Sequence, residues 1–264
     1  MLVDTHCHVE RSRYPEGPDD VLGRARAVGV RGFVVVGVAE TVQSAEDAVA
    51  LAERHADVVA AVGFHPHDAA VVDDPAWQTI SRLARHPRVV AVGETGLDYH
   101  YDHSPRDVQQ SVFRRTIALA REVKKPIVVH TREAAADTLA VLRDEGARDV
   151  GGIIHCFSED LAFAREALDL GFHLSFSGIV TFKNARAIQE VAAAAPLERV
   201  RLDEDAPYLA PVPFRGKRCE PSHVVHTAAF VAALRGVAAD ALAEATTENA
   251  RRLLGPVLDV GAVA

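Results

Sequence analysis

The sequence predicts an α/β protein: a single-domain parallel (β/α)8 barrel of the TIM type. Eight short β-rich runs alternate with stretches of helical period, and strands separated by helices imply right-handed βαβ units and a parallel sheet. Eight repeats of that unit imply closure, and 264 residues is close to the usual length of one such barrel. An open doubly wound sheet is the main structural alternative.

The runs follow in order. Leu2 to His6 opens the chain, and Asp19 to Val28 has helical period; Gly32 to Gly37 is the second run, followed by the helical pattern Val42 to His55. Val58 to Phe64 and Val89 to Glu94 are the third and fourth runs. Arg106 to Val123 forms a long helical stretch before Ile127 to His130, and Glu133 to Glu145 another before Gly152 to His155. His173 to Ser177 and Val200 to Asp203 complete the set, with the alanine-rich Val191 to Ala195 read as helix between them. The last helix is expected to start at Thr246 or Thr247 as N-cap and to stop at Gly255. Residues 1–255 are thus expected to form the barrel and 256–264 a loosely held tail.

Composition narrows the function classes. With 48% apolar and 25% charged residues, the chain is far from the disordered regime and needs no disulfides to bury a core. A net charge of −8 argues against a wide sequence-independent grip on nucleic acid, so any phosphate contact must be local. Three scattered cysteines, Cys7, Cys156 and Cys219, suit a reducing compartment. No signal-peptide pattern and no apolar stretch of spanning length is visible, so cytoplasm is the expected location, with no membrane and no obligate protein partner.

The chemistry sits at the ends of the runs. His6 and His8 flank Cys7, and strand alternation turns both imidazoles one way and Cys7 the other. This is the geometry of a metal pair, although two such histidines can also be a solvated strand end. Asp4, on the same alternation as His6, is a candidate to orient a ligand. Glu94 precedes a glycine-containing turn and reads as a ligand or a cap. His130 and His155 each end an apolar run, as ligands or as hydrogen-bonded core residues. Asp205, in Leu-Asp-Glu-Asp-Ala-Pro, is a ligand or a salt-bridged loop carboxylate. In a barrel all six meet at one mouth, where unpaired polar crowding is costly and a metal relieves it.

These residues lie in a series of ordered motifs: Asp4-Thr-His-Cys-His8, Gly63-Phe-His-Pro-His67, Gly93-Glu-Thr-Gly-Leu-Asp-Tyr99, Val129-His-Thr-Arg-Glu133, Ile154-His-Cys-Phe-Ser158, Leu174 to Lys183, Asp205 to Pro211, Arg215-Gly-Lys-Arg218 and Thr246-Thr-Glu-Asn-Ala250. Through them the chain resembles the TatD family of metal-dependent hydrolases, nearly end to end. The resemblance implies two divalent ions, Zn, Mg or Mn: one held by His6, His8, Glu94 and Asp205, the other by Glu94, His130 and His155, with Glu94 as the bridge. It also implies a deoxyribonuclease, often a 3′ to 5′ exonuclease; some members are described as D-aminoacyl-tRNA deacylases. The chain departs from the family pattern at Asp203-Glu204, where Glu-Thr is usual, at Glu159 in place of Gly, and at Cys219 in place of Asn. Alternation should turn Glu204 away from Asp203 and Asp205, and Cys219 reads as a loop thiol.

The expected mechanism gives Asp205 the water proton as well as metal, with Glu94 as the other catalytic residue. His65, His67, Arg132, Lys183, Arg215, Lys217 and Arg218 are candidate substrate-binding residues, through histidine acid–base chemistry and through phosphate contacts. Tyr99, Tyr101, Phe157 and Phe182 are candidates for stacking unpaired bases. The expected substrate is DNA or another phosphate ester held at the mouth. Hydrolysis of an acyl ester, amide or lactone is the alternative, and a non-enzymatic metal protein is the weaker third.

Overall fold

A computed structural model describes residues 1–38 and 41–255. Eight parallel strands form one sheet in sequence order: β1 Leu2–Cys7, β2 Val30–Gly37, β3 Val58–Val62, β4 Val89–Asp98, β5 Ile127–Arg132, β6 Gly152–Ile154, β7 Phe172–Phe176 and β8 Val200–Leu202. The ring closes between β1 and β8 through an isolated Cys7–Ala206 bridge, with the His8 N–H donating to Ala206 O (2.9 Å) and the Asp205 N–H to His6 O (3.1 Å). This is the (β/α)8 barrel.

Among the described residues nine α-helices accompany the strands: α1 Pro18–Ala27, α2 Gln43–Arg54, α3 Asp74–Leu83, α4 Arg106–Val123, α5 Ala135–Asp144, α6 Leu161–Asp169, α7 Arg186–Ala194, α8 Val224–Arg235 and α9 Ala239–Leu254. Strand alternation sorts the core into two. Phe33 and Val35 of β2 pack in the large cluster that also holds Phe113, Ile117 and Leu242 of the helices, whereas Val34 and Val36 join Val3, Val59, Ala61, Val128 and Ile153 inside the ring. Ala250 and Leu254 of α9 belong to that inner cluster, so the last helix covers the end of the barrel where the strands begin.

Three local expectations need correction. The last helix starts at Ala239, not at Thr246 or Thr247: the alanine-rich turns before them have high helix propensity, and the buried Thr246 hydroxyl donates back to Leu242 O at 3.0 Å instead of capping. Gly255 does end it, at φ 87°. The helix expected from Glu133 begins at Ala135, because Glu133 itself lies at φ 53°. In β1 the register shifts between Asp4 and Cys7, which breaks strict alternation. Asp4 therefore does not orient the His6 ring; it accepts from the backbone N–H groups of His6 and Glu204, each at 3.2 Å. The tail at 256–264 lies outside the described residues. Among the described residues no single helix is long and apolar enough to cross a membrane.

Candidate metal centre

The mouth is the end where the strands finish, and Glu94 lies at its middle. One carboxylate oxygen, Oε1, is 3.1 Å from His130 Nδ1, 3.6 Å from His65 Nε2 and 3.8 Å from His155 Nε2. The other, Oε2, is 3.3 Å from His6 Nε2 and 3.8 Å from His8 Nε2. Asp205 Oδ1 lies 3.5 Å from His155 Nε2 and 4.0 Å from His8 Nε2. Glu94 is 3% exposed and His6 1%, so these groups face one another with little water between them.

The backbone is built for this convergence. A Cβ on Gly96 would lie 1.9 Å from His130 O, so β4 and β5 can approach this closely only with glycine there. Asp205 stands at φ 51°, a left-handed conformation that aspartate tolerates better than most residues and that turns the chain just beyond β8. Cys156, next to His155, is also left-handed at φ 42°.

The groups behind the histidines fix which ring nitrogen faces inward. His8 Nδ1 lies 3.0 Å from Val36 O, and since a carbonyl only accepts, Nδ1 carries the proton. His155 Nδ1 donates to Asp203 Oδ2 (3.0 Å), and His130 Nε2 donates to Asp98 Oδ2 (3.0 Å). In the neutral rings, His8 Nε2, His155 Nε2 and His130 Nδ1 then turn lone pairs toward the oxygens of Glu94 and Asp205. Lone pairs facing carboxylates repel unless a proton or a metal cation lies between them. The donor set, imidazole nitrogens with two carboxylates, is the one that divalent metals take, so the residues fit bound metal. Several triads of ligand atoms lie within 4.8 Å of one another: His6, His8 and Asp205; His6, Glu94 and His155; His65, Glu94 and His130; and His155, Cys156 and Asp205.

Electrostatics follows the same arrangement. Burial pushes His6 down to about 4, helped by the charge on His155. Without metal a proton takes that place at His130: burial works against charging the ring, but hydrogen bonds to Asp98 and Glu94 outweigh it and lift it to about 9, so bound metal would displace the proton that Nδ1 then carries. Burial would raise Glu94, yet the surrounding histidines hold it well below the usual carboxylate range.

His65, expected among substrate contacts, also lies within ligand reach, because its Nε2 joins Glu94 and His130. Two residues went unrecognised in the sequence. Asp203 appeared only as company for Asp205, yet it holds the His155 ring. Asp98 was passed over, yet it accepts from both His67 Nε2 (2.9 Å) and His130 Nε2. The Leu97-Asp98-Tyr99 stretch closing the fourth run was the available signal.

The other expected contacts divide. Arg132 lies over the Tyr101 ring (4.7 Å), Arg215 over Phe182 (4.1 Å) and Lys217 over Phe214 (5.8 Å), all in segments at or beyond strand ends on the mouth side. Lys183 is exposed in the segment after β7. Arg218 is committed elsewhere: its guanidinium donates to Glu16 (2.6 Å) and Arg13 O (3.2 Å) and packs on Tyr14, which leaves little of it for phosphate. Of the four stacking candidates, Phe157 is fully buried, Phe182 is 9% exposed and the Tyr99 hydroxyl is tied to Asp137; Tyr101 is half exposed. Glu204 turns away from Asp203 as expected, and there it meets Cys219. Cys219 lies in a loop as expected, but it is buried there: its Sγ lies 3.1 Å from Glu204 Oε2, while Thr227 donates to Oε1 at 2.5 Å. Two of the three departures from the family pattern are thus one contact.

A parallel barrel whose mouth gathers buried imidazoles and carboxylates around a shared glutamate has the construction of a metal-dependent hydrolase. The comparisons agree. Residues 3–255 match the family described as TatD related DNase, and the chain belongs to that family. The metal-dependent hydrolase YabD of Bacillus subtilis, itself uncharacterized, is 45% identical over 255 residues, covering 96% of this chain and 98% of YabD. The 3′-5′ ssDNA/RNA exonuclease TatD of Klebsiella pneumoniae is 32% identical, covering 99% of this chain and all of its own. Among solved structures, the TatD homologue YjjV of Escherichia coli superposes with a TM-score of 0.88 at 28% identity, covering 96% of this chain and 97% of YjjV.

Proposed function

We propose that the protein is a binuclear metal-dependent phosphodiesterase that removes nucleotides from DNA ends, in the 3′ to 5′ sense. The observation that carries the metal reading is the set of inward ring nitrogens, His8 Nε2, His130 Nδ1 and His155 Nε2, each held by an acceptor on its far side and aimed at Glu94 or Asp205. The two oxygens of Glu94 face different histidines, which supports a bridge: His6 and His8 on the Oε2 side, His130 with His155 or His65 on the Oε1 side, and Asp205 between His8 and His155, able to complete the first group. Divalent ions bound there would supply Lewis-acid polarisation of the phosphoryl oxygen and make a nearby water more acidic. Asp205, the more exposed of the two carboxylates at 15% against 4% for Glu94, is the residue placed to accept a proton from such a water. Arg132 and Arg215, each flat against an aromatic ring, present fork-shaped donors to the phosphate backbone, and Lys183 and Lys217 add point charges. His67 stands at the edge of the cluster, within reach of a leaving group. The name of the Klebsiella relative supports nucleic acid over other esters.

The test is to load the protein with Zn, Mn or Mg and offer end-labelled single-stranded DNA, a D-aminoacyl-tRNA and a simple phosphate diester, each with and without chelator. Chelator-sensitive shortening of the DNA from its 3′ end is expected. Cleavage confined to the acyl ester would replace this reading with the deacylase alternative.

A further inference from the structure

We infer that Asp98 is a positioning residue that sets the tautomer of His130 and thereby makes the Oε1 side of the metal centre. The inference rests on the metal reading above. Asp98 is fully buried at the end of β4, and each of its oxygens has separate duties. Oδ1 accepts from the backbone N–H groups of His100 (3.0 Å) and Tyr101 (2.9 Å), which fold the rim loop back over the strand end. Oδ2 accepts from His130 Nε2 (3.0 Å) and His67 Nε2 (2.9 Å). The residue cannot swing aside, because Gln109 brackets its backbone: Gln109 Oε1 accepts from Asp98 N at 2.8 Å and Nε2 donates to Asp98 O at 3.1 Å.

This arrangement dictates what an amide would do at the same place. In Asp98→Asn the side-chain oxygen must stay on the two backbone donors, since an NH2 turned toward them would set donor against donor. The NH2 then faces both imidazoles and must donate to them. His130 Nε2 becomes an acceptor, its proton moves to Nδ1, and the atom facing Glu94 loses its lone pair. An isosteric exchange therefore reverses one imidazole without moving it.

The experiment measures zinc affinity by competition with a chromophoric chelator, and the imidazole N–H protons of the zinc-loaded, 15N-histidine-labelled protein by NMR. The wild type is expected to show a downfield His130 Nε2–H signal and two zinc equivalents. Asp98→Asn is expected to lose that signal and to bind one of the two zinc ions about 10–100-fold more weakly, as seen when an outer partner of a ligand is removed. The thermal midpoint of the metal-free variant should stay within about 2 °C of wild type, which a merely structural role would not allow. Asp98→Ala removes the acceptor without installing a donor, and its affinity should fall between the two; it also serves if the asparagine variant fails to fold. Unchanged affinity for both ions in either folded variant, or a retained Nε2–H signal in Asp98→Asn, would overturn the inference. Failure of the wild type to bind zinc at all would instead remove the metal reading beneath it.

Discussion

The two ends of the barrel bury ionisable groups in opposite ways. At the mouth the buried groups around Glu94 face opposite or potentially ligating ones: Glu94 among five histidines, His155 between Glu94 and Asp203, Asp98 between His67 and His130. At the covered end, Arg201 is fully buried with Nε and Nη2 lacking any partner, and the nearby His173 has an unpartnered Nδ1. The charges that act on His173 are those of Arg201 and Arg199, and on Arg201 those of Arg199 and Arg252, all cationic. Isolated atoms lack partners at the mouth too, such as Asp203 Oδ1 and His6 Nδ1, but they lie among groups of the opposite sign. The lesson is that burial of polar groups by itself does not mark a site. Reciprocity does, because opposed charges and lone pairs held in register create a place for a ligand, whereas a lone buried cation only costs stability.

Four measurements break or sharpen this contrast. The largest effect belongs to Glu94: since losing a partner behind a ligand costs about 10–100-fold, Glu94→Gln should lower metal affinity by more than about 100-fold, read by chelator competition. An intact affinity would mean that the mouth's reciprocity serves folding alone. At the other end, Arg201→Leu should raise the denaturant-measured stability of the metal-free protein by about 1–4 kcal/mol, because an apolar side chain replaces an uncompensated buried charge. A loss of stability there would erase the difference between the ends.

Third, burial and then the charges of Arg201 and Arg199 push His173 down to about 3. The unfolded ring takes its proton near 6.5 while the folded one does not, so the unfolded state binds more protons and stability falls as pH drops from 6.5 toward 3. The expected loss is about 2 kcal/mol at pH 5 relative to pH 7, and His173→Gln should lack that component in paired urea melts. The smallest effect concerns the contact behind Asp205: Thr227→Val leaves Glu204 Oε1 without its donor and should cost about 1–3 kcal/mol by thermal melting, with little change in metal affinity.

What the sequence could tell was governed by range. Short β-branched runs and helical periods are local, so the order of strands and helices was legible, and knowledge of the barrel alone brings His6, His8, Glu94, His130, His155 and Asp205 to one mouth. The register shift in β1 was not legible, because it depends on how β1 pairs with β2, and it moved Asp4 off its expected task. The start of α9 was missed because a threonine looks like a cap until its hydroxyl is seen bonding within the helix. Glu204 and Cys219 each looked like an isolated oddity; only folding brings them within 3.1 Å. Asp98 stayed hidden for a similar reason: its partners His67 and His130 lie 31 and 32 residues away, on other strand ends.

The seam where β1 meets β8 has a consequence for synthesis. His6 and His8 are made about two hundred residues before Asp205, whose N–H bonds back to His6 O. At about 5–20 residues per second, the earliest two ligands wait on the order of ten seconds or more for their last companion. A chain that stops short of Asp205 therefore leaves the seam unclosed, and the candidate centre is complete only once the turn beyond β8 has been made.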